Sequence, residues 1–137
     1  MPIEQFVSTG NEWERKYRYS RAVRAGGLVL TTGTVAIDGE GNPVAPGDGF
    51  AQALRCLQII DGAIRQLGAS KADILRTRFY VTDISRADEF GRAHAEYFGG
   101  LHRAGGPCLT MVGVKELIDP VFLVEIEAEA YVASDTD

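Results

Sequence analysis

The sequence has few of the residues from which metal sites and disulfide frameworks are built. Its two cysteines, Cys56 and Cys108, form no CxxC motif, and its two histidines, His94 and His102, are not separated like zinc ligands. We therefore expect no metal ion, no disulfide bond and reduced thiols, as in a cytoplasmic protein.

Long apolar runs and an excess of positive charge are also missing. The longest apolar runs, such as residues 121–124, are far shorter than the ~18 residues that a helix needs to cross a bilayer. The N-terminal segment lacks the basic and then apolar pattern of a secretory signal. The 14 Lys and Arg residues are outnumbered by 19 Asp and Glu residues, a net charge of −5, whereas nucleic-acid binding needs positive charge. These features predict a cytoplasmic protein with neither a membrane span nor a nucleic-acid partner.

The motifs of several common catalytic classes are absent. The chain contains no GxSxG nucleophile motif, no GxxxxGK[ST] phosphate loop and no HExxH zinc helix. Gly39 and Gly41 resemble the start of a dinucleotide loop, but Pro43 follows where such a loop would lead into a helix. We therefore predict no cofactor.

The residues that are present favour a single folded domain, 1–137. Hydrophobic residues make up 45% of the chain and charged residues 24%, as in ordinary globular domains of this size. β-Branched and aromatic residues predict short strands over 3–8, 19–24 and 28–35. Further strands are expected over 75–81, 109–114 and 124–132, the last because apolar and polar residues alternate along it.

Two helices are predicted between these strands. Apolar residues recur every three or four positions from Phe50 to Leu67, after a start near Asp48 and before a stop at Gly68. A second helix is expected over about 86–98. This order of elements indicates an α+β fold in which both helices cover one face of a mostly antiparallel sheet.

The last predicted strand carries three carboxylates on one face. Glu125, Glu127 and Glu129 are about 7 Å apart, two strand rises. One interpretation is that they are solubilising charges paired with arginines of a neighbouring strand. The other interpretation concerns Glu125, which is nearest the apolar end of the strand. It would be a partly desolvated acid with a raised pKa, and it would position a water.

His94 and Cys108 also admit two interpretations each. His94 lies on the apolar face of the second helix, either as a buried neutral histidine with one hydrogen bond or as part of a pocket. Cys108 follows a Gly-Gly-Pro break and is either an inert thiol or a nucleophile, for which the sequence offers no evident base.

Four ordered segments resemble the RidA family, also called the YjgF or reactive-intermediate-deaminase family. They are residues 19–23 (YSRAV), 28–33 (LVLTTG), 72–83 (ADILRTRFYVTD) and 124–128 (VEIEA), and the likeness extends over about 15–132. The resemblance implies a chorismate-mutase-like α+β fold. It also implies a homotrimer around a central barrel, with ligand clefts between subunits.

The resemblance further implies a chemistry and a set of site residues. Such proteins hydrolyse reactive enamines or imines to ketoacids and ammonia, with an arginine on the substrate carboxylate and a water held by a glutamate. Glu125 corresponds to that glutamate. The positions expected to bind substrate are Tyr19, Thr32, Gly33, Gly91, His94, Cys108, Leu109 and Thr110.

Leu109 falls where the family has its substrate-binding arginine. Because leucine cannot bind a carboxylate, typical iminoacid hydrolysis is expected to be weak or absent unless Arg21 or Arg103 substitutes. Three functions therefore stay open: a small-molecule deaminase, a non-catalytic or chaperone-like trimer that binds a small metabolite, and an endoribonuclease. The last is a label of some relatives, and the acidic charge balance disfavours it.

Overall fold

The computed structural model describes residues 3–101 and 105–133. Its longer strands and helices lie where the sequence has alternating or helical spacing of apolar residues. The strands are β1 (Gln5–Val7), β2 (Ala22–Ala25), β3 (Leu28–Thr31), β4 (Ile74–Val81), β5 (Cys108–Gly113) and β6 (Val124–Tyr131). The helices are α1 (Glu12–Tyr17), α2 (Gly49–Gln66) and α3 (Ala87–Phe98). The predicted α+β class is confirmed. Among the residues with described structure, no helix is long and apolar enough to cross a membrane.

Helix α1 was missed by the sequence patterns, although its start carries a recognisable signal. The Asn11 side chain accepts a hydrogen bond from the Trp13 N–H at 2.7 Å, and acidic residues occupy the first turn. Arg18 ends the helix in the left-handed conformation, with φ of 59°. Six residues are too few to display an apolar period, so a search for periodicity does not find this helix.

Helix α2 follows the predicted pattern at both ends. Asp48 is its N-cap and accepts a hydrogen bond from the Ala51 N–H at 3.0 Å, and Gly68 follows its end with φ of 83°. Its inner face is buried, with Leu57 and Ile60 both 0% exposed. Burial of one such side chain contributes about 1.5–3 kcal/mol to folding. Helices α2 and α3 pack against each other on one side of the sheet.

The strands form one sheet in the order β1-β2-β3-β6-β4-β5. All neighbouring pairs are antiparallel except β4 and β5, which run parallel, so the expected mostly antiparallel sheet is confirmed. A tight turn joins β2 and β3, and Gly26 adopts φ of 58° there, a conformation that favours glycine.

Strand β3 is shorter than predicted. The expected strand over 28–35 ends at Thr31, and the chain meets β6 again at Thr34, whose N–H and C=O both bond to Ile126. Thr32 and Gly33, between these points, are not paired with β6, and both belong to the predicted site. The interruption therefore shapes the site.

The two faces of the central strands differ in character. Phe79 and Val81 of β4, with Val124 and Ile126 of β6, point towards the helices and are 0% exposed. The alternate residues of both strands are half-buried and mostly charged. Because successive side chains of a strand point to opposite faces, the glutamate row of β6 lies on the side away from α2 and α3.

Candidate functional site

Glu127 and Glu129 are paired with residues of β4 across the sheet. The Tyr80 hydroxyl donates a hydrogen bond to Glu127 at 2.5 Å, and Arg78 Nη1 donates to Glu129 at 3.0 Å. Arg76 completes this network with its Nε 3.8 Å from a Glu129 oxygen. These two glutamates therefore have the cross-strand pairing role considered from the sequence.

Glu125 differs from these two glutamates in its surroundings. No hydrogen bond reaches it from the described residues, and its side chain is half-buried. Burial raises the pKa of Glu125, the charge of Glu127 raises it further, and Arg21 opposes both. A half-buried carboxylate with free oxygens is suited to hold a water and accept its proton.

The Glu125 carboxylate lies against the backbone of Gly33. A Cβ atom at position 33 would overlap Glu125 Oε2 and would lie 3.0 Å from the carboxyl carbon. Because glycine has no Cβ, the Glu125 carboxylate can occupy this space. Gly33 contributes space and backbone to the site, and no side-chain chemistry.

Tyr19 and Thr32 line a cavity of about 360 Å³ next to this loop. Ser20 and Arg18 also line it, and Arg18 was overlooked in the sequence because no motif marks it. Arg18 forms no ion pair within the described part of the chain. Hydroxyl groups and the Arg18 cation suit a polar or anionic ligand group. Glu125 does not line this cavity, and Thr32 connects the two through its neighbour Gly33.

His94 is held inside the protein. Its Nε2 is 2.8 Å from Thr77 Oγ1, the residue is 9% exposed, and burial lowers its pKa. It is therefore a neutral histidine with one hydrogen bond near neutral pH, as the first interpretation held. Its ring also lines a second cavity of about 300 Å³, together with Phe98 and Leu101, so a role in a pocket stays a prediction.

The expected site residues of β5 lie on both faces of the sheet, and one more, Gly91, lies in α3. Leu109 is paired with Thr77 and so projects to the helix side of the sheet, whereas Cys108 and Thr110 project to the glutamate side. Leu109 is 41% exposed because β5 is an edge strand. Gly91 lies in α3, where an added Cβ would meet nothing within 4 Å.

A comparison with known protein families identifies the family of the chain. The model of the family described as endoribonuclease L-PSP matches residues 9–132. The chain belongs to this RidA/YjgF family. A solved structure from Mycobacterium tuberculosis, of a member of the YjgF/YER057c/UK114 family, is similar with a TM-score of 0.82 and 46% identity, over 93% of this chain and 98% of that chain.

Two curated relatives of this RidA/YjgF-family chain are similar along most of its length. A Streptomyces coelicolor protein described as uncharacterized is 33% identical over 125 residues, which cover 91% of this chain and 90% of that protein. A RutC family protein of Pyrococcus abyssi is 30% identical, over 82% of this chain and 85% of that protein.

The RidA/YjgF-family site expected from the sequence divides into two groups within one chain. Glu125, Gly33 and Thr32 form one group around β3 and β6, whereas His94 and Leu109 lie on the helix side near β5. Two strand spacings, roughly 10 Å, separate β6 from β5. Leu109 and Glu125 therefore do not flank one cleft inside a single chain, and the clefts that the resemblance implies lie between subunits. A cleft containing both would need two copies of the chain.

Of the two arginines considered as replacements for the family's clamp, Arg21 lies within the described residues. Arg21 is buried and directs its donors to Glu14, to the Gly33 carbonyl and to Thr34. Arg103 lies outside the described residues, as does His102. Within 3–101 and 105–133, no group of three or more His, Cys, Asp or Glu side chains is arranged to hold a metal ion.

Proposed function

We propose that this protein is a RidA-type hydrolase that releases ammonia from a small imine or enamine. The observation that supports this proposal is the Glu125 carboxylate, half-buried against Gly33 and without a donor among the described residues. In the proposed reaction Glu125 accepts a proton from a water, and the water oxygen attacks the imine carbon. That proton then passes to nitrogen to give a carbinolamine. The remaining hydroxyl proton moves to nitrogen as the C–N bond breaks and the C=O bond forms, and the products are a carbonyl compound and ammonia.

A non-catalytic role in binding a small metabolite is the second candidate. It is favoured by Leu109, an exposed apolar side chain where the resemblance expects a substrate-binding arginine. An RNA substrate is not proposed, although the family description names an endoribonuclease. The net charge of −5 opposes approach to a phosphate backbone.

An ammonia-release assay separates these two candidates. Imines with neutral, anionic and apolar substituents can be generated in situ by an amine oxidase, and we expect the protein to accelerate ammonia release from at least one of them above its spontaneous rate. Heat-treated protein is the control. If the protein accelerates ammonia release from none of the imines but one of the carbonyl products raises its melting temperature, the result would favour the metabolite-binding role over the hydrolase.

We also propose that the functional unit is a homotrimer with its clefts at the subunit interfaces. Two features support a partner surface: the residues expected in one cleft lie in two separate groups, and the outward sheet face carries exposed apolar side chains such as Leu30 and Tyr131 beside its charges. Sedimentation velocity at micromolar concentration should give three times the monomer mass. A stable monomer would contradict the proposal.

A further inference from the structure

Glu14 and Arg21 form a buried ion pair that the proposed reaction does not use. Glu14 lies in α1 and is 3% exposed, and Arg21 precedes β2 and is 7% exposed. Arg21 Nη2 is 3.4 Å from Glu14 Oε2. A buried pair must compensate a large loss of hydration, so it persists only where further hydrogen bonds satisfy both charges.

The acidic member of the pair is held as an anion by the N-terminal segment. Ser8 Oγ donates a hydrogen bond to Glu14 at 2.9 Å, and the N–H and hydroxyl of Thr9 donate two more. Burial by itself would raise the pKa of Glu14, but these hydrogen bonds and the charge of Arg21 outweigh burial, and the pKa is lowered. Glu14 is therefore a fixed negative charge behind Arg21.

The other side of the Arg21 guanidinium donates hydrogen bonds to the loop 32–34, which lies against Glu125. Arg21 Nη1 donates to the Gly33 carbonyl at 3.0 Å and to Thr34 Oγ1 at 3.2 Å. The Thr34 hydroxyl in turn donates to the Thr32 carbonyl at 3.0 Å. The loop is thus tied to Arg21 on one side.

The same loop is tied to the strand of Glu125 on its other side. The Thr34 N–H donates to the Ile126 carbonyl at 2.8 Å, and the Ile126 N–H donates to the Thr34 carbonyl at 2.9 Å. Ile126 is the residue after Glu125. Any movement of the loop would therefore change the space into which the Glu125 carboxylate fits.

We propose that Arg21, held by Glu14, is a positioning residue for Glu125: it fixes Gly33 against the carboxylate and supplies a positive charge on the protein side of the site. This inference rests on the proposed role of Glu125. The segment from β1 to α1 then has a role at the site although it contributes no reacting group: through Glu14 it holds Arg21 in place.

The charges around Glu125 make Arg21 the group that opposes protonation. Burial and Glu127, which lies on the same strand, both raise the pKa of Glu125, and Arg21 acts in the opposite sense. Among the described residues, Tyr80 on β4 and Cys56 on α2 also interact electrostatically with Glu125. Both are neutral near neutral pH, since hydrogen bonding to Glu127 raises the pKa of Tyr80 and burial raises that of Cys56.

Two measurements on the full chain test this inference without a substrate. The first is the titration of the Glu125 carboxyl carbon by NMR, assigned with the Glu125→Gln variant. The second is hydrogen exchange of the Thr34 amide, which reports on the bond to Ile126. In Arg21→Gln we expect the Glu125 midpoint to rise, because a nearby cation is lost, and Thr34 exchange to become at least about tenfold faster.

Arg24→Gln is the matched control. Arg24 lies on β2, is half-buried and donates to two backbone carbonyls, those of Gly26 at 2.8 Å and Leu67 at 2.7 Å. It is not among the groups that act on Glu125. Its replacement should lower the melting temperature while leaving both the Glu125 midpoint and Thr34 exchange unchanged.

Arg21→Lys separates charge from geometry and serves if Arg21→Gln does not fold. Lysine keeps the charge but cannot donate from a planar fork to two acceptors, so we expect a Glu125 midpoint near that of the native protein and faster Thr34 exchange. Native values of both quantities in the Arg21 variants would overturn the inference. The readouts are independent of turnover, so a failure to find imine hydrolysis would count against the proposed function alone.

Discussion

Turnover of an accepted imine should fall by at least a hundredfold in the Glu125→Gln variant, with the fold retained. Glutamine keeps the size of the side chain but cannot accept a proton, and general-base catalysis typically contributes 10²–10⁴-fold, roughly. Native turnover should also decrease as the pH falls through the pKa of Glu125. Because that pKa is raised, the decrease should begin at a higher pH than for an ordinary glutamate.

Glu129→Gln is the control for this prediction. Glu129 lies on the same strand and the same face, but it is paired with Arg78 and Arg76, so its loss should change turnover less than about threefold. Ammonia release measures both variants, and sedimentation checks their assembly. Equal losses in the two variants, or none in Glu125→Gln, would move the chemistry elsewhere, and His94 would be the next residue to replace.

Gly33→Ala tests the same carboxylate without removing it. The added methyl group would overlap Glu125 Oε2, and the flexible end of the glutamate would have to move away. We expect a melting temperature close to the native value and a loss of turnover of about tenfold or more, since small displacements of a catalytic group are costly. Gly39→Ala is the control, because a Cβ at position 39 meets nothing within 4 Å.

Hydrolysis of 2-iminopropionate should be about a hundredfold slower than in a relative that carries the arginine at the position of Leu109. Loss of a bidentate, charge-assisted pair with a substrate carboxylate removes about 3 kcal/mol, which is about a hundredfold in rate. Leu109 is exposed on an edge strand and provides an apolar contact only. Neutral imines of similar size should be disfavoured much less.

Leu109→Arg and Leu109→Met complete this experiment. The arginine variant should raise the rate with 2-iminopropionate towards that of the relative, whereas methionine, which is apolar and of similar volume, should not. A native rate equal to that of the relative would show that another cation binds the carboxylate. Arg18, which lines the cavity beside Tyr19, would then be the candidate, and Arg18→Gln should abolish that activity.

Much of the fold follows from patterns that are local in the sequence. The spacing of apolar residues in α2, its cap at Asp48 and the stop at Gly68 are contained within one stretch of chain, and the structure has all three. The alternation along β6 likewise places three carboxylates on one face. Helix α1 could not be found in this way, because it is too short to show a period and its buried polar residue, Glu14, does not resemble a core position.

The sequence by itself determined the family, the α+β class and the presence of an acid at position 125, because these depend on residue types and local spacing. Tertiary structure alone decided which glutamate receives no hydrogen bond from the described residues. Tyr80 lies opposite Glu125 but donates diagonally to Glu127, and Arg78 lies opposite Glu127 but donates diagonally to Glu129. It also decided that Leu109 faces away from Glu125 and that Arg21 lies buried behind Gly33. These are relations between distant segments, and only the packing of the sheet and α1 sets them.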